Sequence, residues 1–383
     1  MKITGIICEY NPFHLGHKKQ LDYIRQIQGA DQGIVCLMSG NYVQRGMPAI
    51  FDKSLRAKAA VLCGADLVLE LPITASLDSA EGFAAKGISI LSGFCDELCF
   101  GAETADKTAL MHIAETLLSE TFTQALRAQL DKGLSFPAAR QKALESMGLD
   151  ATLLTSPNNI LAVEYCKAIL SQDNSMVPMP ILRQGNYHDN TPDKENPSAT
   201  SLRLMIENDQ DCNEYIPKDA APCFTNAPIH TIAAGERAIL TRLRTMTDAE
   251  FEALPYGSEG LWRKLMHAAR KEASLEGIIN ATKSKRYTRT RLDRMIMCAY
   301  LGLTETDIAS PAPYVRVLAF NDRGREILKT ARSHGEFVNA GETVDHPFQS
   351  VENRCGSLYG LFQQAKPDTP NTEKNLRIYY HKK

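Results

Sequence analysis

The chain has 383 residues, 44% hydrophobic and 23% charged, a balance that suits a soluble globular protein longer than one ordinary domain of about 100 to 200 residues. Its 43 lysines and arginines nearly cancel its 45 aspartates and glutamates, so bulk charge gives no reason to expect nucleic-acid binding and any such surface must be local. No apolar run is long enough to span a bilayer, the start lacks the basic, apolar and small-residue succession of a secretion signal, and ten cysteines without paired spacing suit a reducing compartment, so a cytoplasmic protein is expected.

Ile3 to Cys8 is a short, β-branched-rich apolar run of the kind buried in a parallel sheet. Asn11-Pro12 signals a turn, and residues from Lys18 through Leu21, Ile24 and Arg25 return at helical spacing. Strand-like runs at Ile34 to Met38, Leu67 to Leu71 and Leu98 to Phe100 alternate with helical stretches at Ser54 to Cys63 and Ser79 to Ser92, the pattern of an α/β parallel sheet. Asp106 to Gly148 reads as helical, and Ser156-Pro157-Asn158 as a helix start with Ser156 as cap. Tyr215 to Ile229, rich in Pro and Ala, reads as a linker or covering loop. Beyond it, Ile232 to Leu243, Ser258 to Glu272, Leu275 to Thr282 and Thr290 to Leu301 are helical in pattern, which divides the chain into an α/β part over 1–210 and a mainly helical part over 230–383.

The turn after the first strand carries His14-Leu15-Gly16-His17. A helix starting near Gly16 aims free N–H groups and the positive end of its dipole into the turn, where a polyphosphate gains hydrogen bonds and field, and both imidazoles are placed to donate to its oxygens. Gly16, without a Cβ, is expected to let the nucleotide approach the backbone. A zinc site on a helix needs an i, i+4 histidine pair with further ligands, and neither is evident, so no protein-held metal is expected. Cys95 and Cys99 lack a second cluster and read as core residues. A second segment, Ser198 to Arg203, places hydroxyls at a helix start and a guanidinium fork one turn later, another phosphate-binding pattern, though an ordinary capped helix looks the same.

His14-Leu15-Gly16-His17 resembles the HxGH signature of the HIGH-type nucleotidyltransferase superfamily, whose members bind ATP on a doubly wound, Rossmann-like parallel sheet and cleave between its α- and β-phosphates. Ser198, Thr200 and Arg203 resemble the essential positions of its ISSTxxR element, from which Pro197 and Ala199 depart. The opening segment, together with SGNYVQRGMPAIFDKSLRAKAAVLCGADLVLELP, FGAET, SPNNILAVEY and RQGNYHD, is similar to the bacterial tRNA(Met) cytidine acetate ligase family over most of the chain. That resemblance implies activation of acetate by ATP to acetyl-adenylate, then acetyl transfer to N4 of the wobble cytidine of elongator tRNA(Met). It implies ATP contacts from Ile7, Cys8, Glu9, Tyr10, Asn11, Pro12, Phe13, His14, Leu15, Gly16, His17, Lys18, Lys19 and Gln20, from Gly101, from Asn158 or its neighbour Asn159, and from Arg183. Asn158 is favoured, since adjacent side chains on a helix point about a hundred degrees apart and only one can face the site. Gly101 is equally a turn glycine, and Arg183 equally a surface charge.

On this reading 1–210 is the ATP-binding catalytic domain, where His14 and His17 bind the phosphates, Ser198, Thr200 and Arg203 secure the leaving pyrophosphate, and Lys18 or Lys19 adds positive charge. Mg2+ rides on the phosphates and keeps its waters. The tRNA-binding domain is 230–383, where Lys283, Lys285, Arg286, Arg289, Arg291 and Arg294 form a basic segment with Tyr287 interleaved for base stacking. Taken alone, that segment is a solvated helix face. Arg242, Arg244, Arg263, Lys264, Arg270, Lys271, Lys382 and Lys383 are further candidates for the patch. Acetate, ATP and tRNA are the expected partners, with no membrane and no protein partner. The same residues also suit two rivals: an adenylyltransferase acting on a small phosphorylated precursor, and a non-catalytic RNA-binding protein on a dead nucleotide fold.

Overall fold

A computed structural model describes residues 1–183, 193, 196–284, 286–365 and 373–382. Eight strands form one sheet: β1 (Ile3–Cys8), β2 (Gly33–Ser39), β3 (Leu67–Leu71), β4 (Glu97–Ala102), β5 (Val177–Leu182), β6 (Val315–Asn321), β7 (Phe337–Asn339) and β8 (Tyr379–His381). Their order is β8-β6-β3-β2-β1-β4-β5, with β7 also paired to β6. From β3 to β5 every pairing is parallel, and β2 is buried along its whole length, as a strand covered by helices on both faces must be. One apolar cluster, containing Ile7, Leu37, Leu69 and Leu98, packs on one face, and another, containing Ile6, Cys36, Val68 and Cys99, on the opposite face. The strand order reverses at β1 and β4, and in a doubly wound sheet a ligand binds outside the carboxyl ends of the strands at such a point.

The helices that cover and flank this edge are α1 (Leu15–Gln28), α2 (Lys53–Leu62), α3 (Ala80–Leu91), α4 (Lys107–Leu118), α5 (Pro157–Ser171) and α6 (Ala199–Glu207). The helical stretch expected over Asp106 to Gly148 is three helices, α4 followed by Glu120–Leu130 and Phe136–Ser146. Tyr215 to Ile229 is a covering segment, because Tyr215, Ile216 and Cys223 are buried in the core. A second core gathers α7 (Ile232–Thr245), α8 (Leu261–Lys271), α9 (Leu275–Thr282) and α10 (Arg289–Leu301).

The helical reading of 230–383 is incomplete. Beyond the helices the chain returns to the sheet, where β6 lies antiparallel to β3, and β7 and β8 lie parallel to β6. Residues on the far side of the expected boundary thus complete the sheet that begins with Ile3. Among the described residues no helix is long and apolar enough to cross a membrane.

Two buried charge systems fasten these parts. Arg56 of α2 is fully buried and gives Nε to Phe51 O at 2.8 Å, Nη1 to Glu9 O at 2.6 Å and Ser39 O at 3.1 Å, and Nη2 to Gly40 O, tying the loops that leave β1 and β2. Lys53 lies 2.7 Å from both Glu70 and Glu373, while Arg316 of β6 bonds Glu352 at 2.8 Å and faces Glu373 at 3.4 Å. Three carboxylates against two cations leave a surplus negative charge. Burial pushes the Glu70 carboxyl up, Lys53 pulls it down, and Glu373 and Glu352 push it up again, to about 7.

Glu70 therefore holds its proton to higher pH in the folded chain than in the unfolded one. Its stabilising contribution is full below the ordinary value of 4.5 and is lost as pH rises through about 7. In urea unfolding, Glu70→Gln is expected to remove this fall in stability between pH 5 and 7, within the window those two values set. Equal pH slopes for the two proteins would contradict it.

Candidate active site

The turn at the end of β1 is built from a strained backbone and a reciprocal pair of histidine caps. Tyr10 adopts φ +47, a costly conformation for a bulky residue, and is held there by packing. Its buried ring meets Phe13 at 4.8 Å and His17 at 4.7 Å between centroids. His14 is the N-cap of α1: its Nδ1 accepts from Gly16 N at 3.1 Å, and His17 Nδ1 accepts from His14 N at 3.2 Å. Serine or threonine with glutamate usually fills this capping box. Here two imidazoles fill it, stacked with centroids 3.7 Å apart.

This geometry fixes the tautomer. A ring nitrogen that accepts a backbone N–H carries no proton, so each neutral imidazole bears its hydrogen on Nε2. Burial, then the charges of Arg183 and Arg203, lower the His14 pKa from 6.5 to about 3. Burial, His14 and Arg183 lower that of His17 well below its ordinary value. Both rings are neutral donors at physiological pH, set at the positive end of α1. Gly16 also has an internal reason: a Cβ there would meet His14 Cε1 at 2.9 Å and Nδ1 at 3.1 Å, so the missing side chain lets the cap ring fold back.

Other segments converge on the same edge. Arg183 follows β5, donates Nη1 to Asn158 Oδ1 at 3.1 Å, and acts electrostatically on both histidines. Asn158, half-buried at the start of α5, also gives Nδ2 to Glu103 at 2.7 Å. Asn159 is buried and turned to Thr104, accepting its backbone N–H at 3.0 Å. Of the two, Asn158 is the one that faces Arg183. Gly101 lies on β4 paired with Ile181, and a Cβ there would meet nothing nearer than Arg183 Cβ at 4.0 Å. Arg203 on α6 donates Nη1 to Asn11 O at 2.8 Å and Nη2 to Thr200 Oγ1 at 3.1 Å, which ties the second segment to the first turn. Ser198 is its N-cap, accepting from Ser201 N at 3.0 Å.

Within the opening segment, Ile7, Tyr10, Asn11 and Phe13 are buried, and Asn11 Oδ1 accepts from Ile50 N at 2.8 Å. Glu9 accepts from Gln44 N at 3.0 Å. Gln20 reaches Cys99 O at 3.4 Å. Lys18 pairs with Asp22 one turn along α1, and Lys19 donates to Asn196 at 3.1 Å. Cys8, Pro12 and Leu15 belong to the same turn, with Pro12 buried and the other two half-buried. From RQGNYHD, Arg183 is described, and 184–189 lie outside the described residues. Arg56 and Glu103, which hold the site's loops, carry no sequence signal that separates them from surface charges.

The basic segment is only partly a surface. Tyr287 is buried and donates to Glu259 O at 3.3 Å beneath the Arg291 guanidinium, so it is not free to stack on a base as expected. Arg291 spends Nε and Nη2 on Tyr256 O at 3.0 and 2.7 Å, and Arg294 lies over the Tyr256 ring. Packing claims both because the segment begins α10, whose inner face is core. Lys283, Arg286 and Arg289 remain exposed, with Arg286 paired to Glu259 and Arg289 to Glu276; Lys285 lies outside the described residues. Arg242 and Arg270 pair with Glu250 and Asp248, and Arg244 reaches the carbonyls of Glu272 and Ala273.

A Rossmann-like sheet with paired histidines at the first helix start defines a nucleotidyl transferase of the HIGH class, and the family model described as HIGH Nucleotidyl Transferase matches residues 1–373. Curated relatives named tRNA(Met) cytidine acetate ligase include that of Clostridium novyi, 38% identical over 86% of this chain and 87% of that one. That of Alkaliphilus metalliredigens is 36% identical over 100% and 99%. Crystal structures of Thermotoga maritima TmcAL, 26% identical and covering 100% of both chains, superpose with TM-scores of 0.91 for the apo form and 0.89 for the form bound with alpha-thio ATP. The chain belongs to the tRNA(Met) cytidine acetate ligase family.

If the caps fix the histidines as described, neither ring titrates near neutrality. Imidazole nitrogen NMR is expected to show Nε2–H for both His14 and His17, unchanged from pH 8 down to pH 5, two units above the His14 value of about 3. A midpoint near the ordinary 6.5 for either ring would contradict this.

Proposed function

We propose that the chain activates acetate with ATP and transfers the acetyl group to N4 of the wobble cytidine of elongator tRNA(Met). The observation that carries this is the pair of neutral Nε2–H donors on His14 and His17, placed at a helix N-terminus where Arg183 and Arg203 also converge. Such a site favours negative charge that grows on phosphate oxygens. An acetate oxygen attacks the α-phosphorus, the bond to the bridging oxygen of pyrophosphate breaks, and acetyl-adenylate forms. The amine of cytidine then attacks the acetyl carbon, losing a proton, and AMP leaves with the acetate oxygen that joined it.

Within this scheme His14 and His17 donate to the phosphates throughout, Arg203 with Thr200 holds the departing pyrophosphate, and Arg183 with Asn158 faces the nucleotide across the sheet edge beside Gly101. Ser198 acts by capping α6, which aims Thr200 and Arg203. The protein groups here are donors that match phosphate rather than a cation, so Mg2+ is expected on the phosphates and waters. Lys283, Arg286 and Arg289 supply the described part of the tRNA surface, and the enzyme works in the cytoplasm, where its tRNA is.

His14→Ala and His17→Ala are each expected to slow acetate-dependent exchange of pyrophosphate into ATP by about 100- to 1,000-fold, the loss seen when one charge-stabilising donor is removed. Unchanged exchange would remove the histidines from the chemistry. A nucleotide adduct made without tRNA would support a small-molecule adenylyltransferase. For the RNA surface, Lys283→Ala is expected to lower the salt slope of tRNA binding by about one unit, the share of one phosphate contact. An unchanged slope and affinity would take Lys283 out of the interface.

A further inference from the structure

Away from the phosphate site, a cavity of about 200 Å³ opens between α7, α9, α10 and the hairpin that pairs Tyr42–Val43 with Met47–Pro48. That is well over ten times the roughly 10–15 Å³ that holds one water. Met47, Ile232, Ile279 and Ile296 give it apolar walls, and Glu276, Arg289 and Asp293 stand among its lining residues. Left empty, walls of this kind forgo the dispersion contacts that a packed interior gains. Water offers them no comparable contact.

The charged groups point to the occupant. Arg289 donates Nη1 to Glu276 at 2.7 Å and holds Nε 3.6 Å from Asp293, yet its side chain is 47% exposed, so part of its five-donor fork faces outward. A carboxylate beside an apolar slot accepts from the exocyclic amine of a base, as acidic side chains do from cytosine N4, and an outward guanidinium takes a phosphate. Exposed Lys283 and Arg286 lie on the adjoining chain. Glu236 adds a third carboxylate to the lining, so acceptors outnumber the one guanidinium there and favour a ligand that donates hydrogen bonds over a purely apolar one.

We propose that this cavity receives one unstacked, amino-bearing nucleotide of the RNA acceptor, a nucleotide other than the cytidine that is acetylated. The inference rests on the tRNA-modifying reading above. Its wall continues toward the phosphate site: Gly46, at φ +76, lies so close to α10 that a Cβ would meet the backbone of Asp293 and Arg294 at 2.5 Å, and two residues earlier Gln44 N donates to Glu9. A nucleotide held here is one hairpin away from the ATP loop, which sets where the rest of the RNA lies.

The test uses Ala233, an exposed lining residue on α7 whose enlargement fills the mouth without entering the core. Ala233→Trp is expected to raise KM for tRNA by at least about tenfold, the loss of roughly one base contact, with acetate-dependent pyrophosphate exchange and melting temperature unchanged. Ala233→Ser should match the wild type in all three. An unchanged KM in the tryptophan variant overturns the proposal, as does a KM increase accompanied by loss of exchange, which would mark a structural effect. Wild-type protein that exchanges pyrophosphate but acetylates no tRNA would instead overturn the reading on which the proposal rests.

Discussion

Two backbone N–H groups at the start of α1 are satisfied by imidazole nitrogens, and most of the site's chemistry depends on that choice. A serine or aspartate cap would satisfy the same donors and stop there. A histidine cap consumes one ring nitrogen on the helix and presents the other, already protonated, to whatever lies beyond the helix end. His14 and His17 cap reciprocally and stack; burial above all keeps both rings neutral, and the charge of Arg183 presses on both, that of Arg203 on His14, and His14 itself on His17. The result is a donor pair that is oriented before substrate arrives and needs no proton uptake to work.

That pair is only as rigid as the loops behind it. Arg56, buried without a carboxylate hydrogen-bonded to it in the described contacts, uses its guanidinium as a spacer between carbonyls that end β1 and β2. The strained Tyr10 backbone is held by the packing of its own ring against Phe13 and His17. At the other side, Lys53 and Arg316 join α2, β3, β6 and Glu373 through buried ion pairs, so the last part of the chain is fastened to the first. The helical region at 232–309 enters between these attachments and meets the turn after β1 through the hairpin at Gly46. The helical region and the first turn are therefore linked by backbone in contact.

Much of this was legible in the sequence where a local pattern suffices. Ile3 to Cys8 and Leu67 to Leu71 read as buried strands because a parallel strand is apolar on both faces, and His14 to His17 read as a helix start because strand, glycine and helix lie within a few residues. What no local pattern carries is whatever depends on distant partners. Arg183 and Asn158 meet only through the register of β5 beside β4 and the start of α5, and Asn159, its chemical twin, is turned to the interior by one step of helix. Arg291 and Arg294 look like surface charge in a basic run, but the core side of α10 claims them, and Tyr287 with them. The return of Val315 to Asn321 to the sheet was hidden by the helices before it, since nothing local says which sheet a strand joins.

The central claim is that the paired donors serve an attack by a carboxylate oxygen on the α-phosphorus of ATP. Acetate labelled with oxygen-18 in both oxygens tests it most directly: after one round of transfer to tRNA, mass analysis should find a single heavy oxygen in AMP and one in the new amide. AMP with no label, or label appearing in inorganic phosphate, would contradict the account.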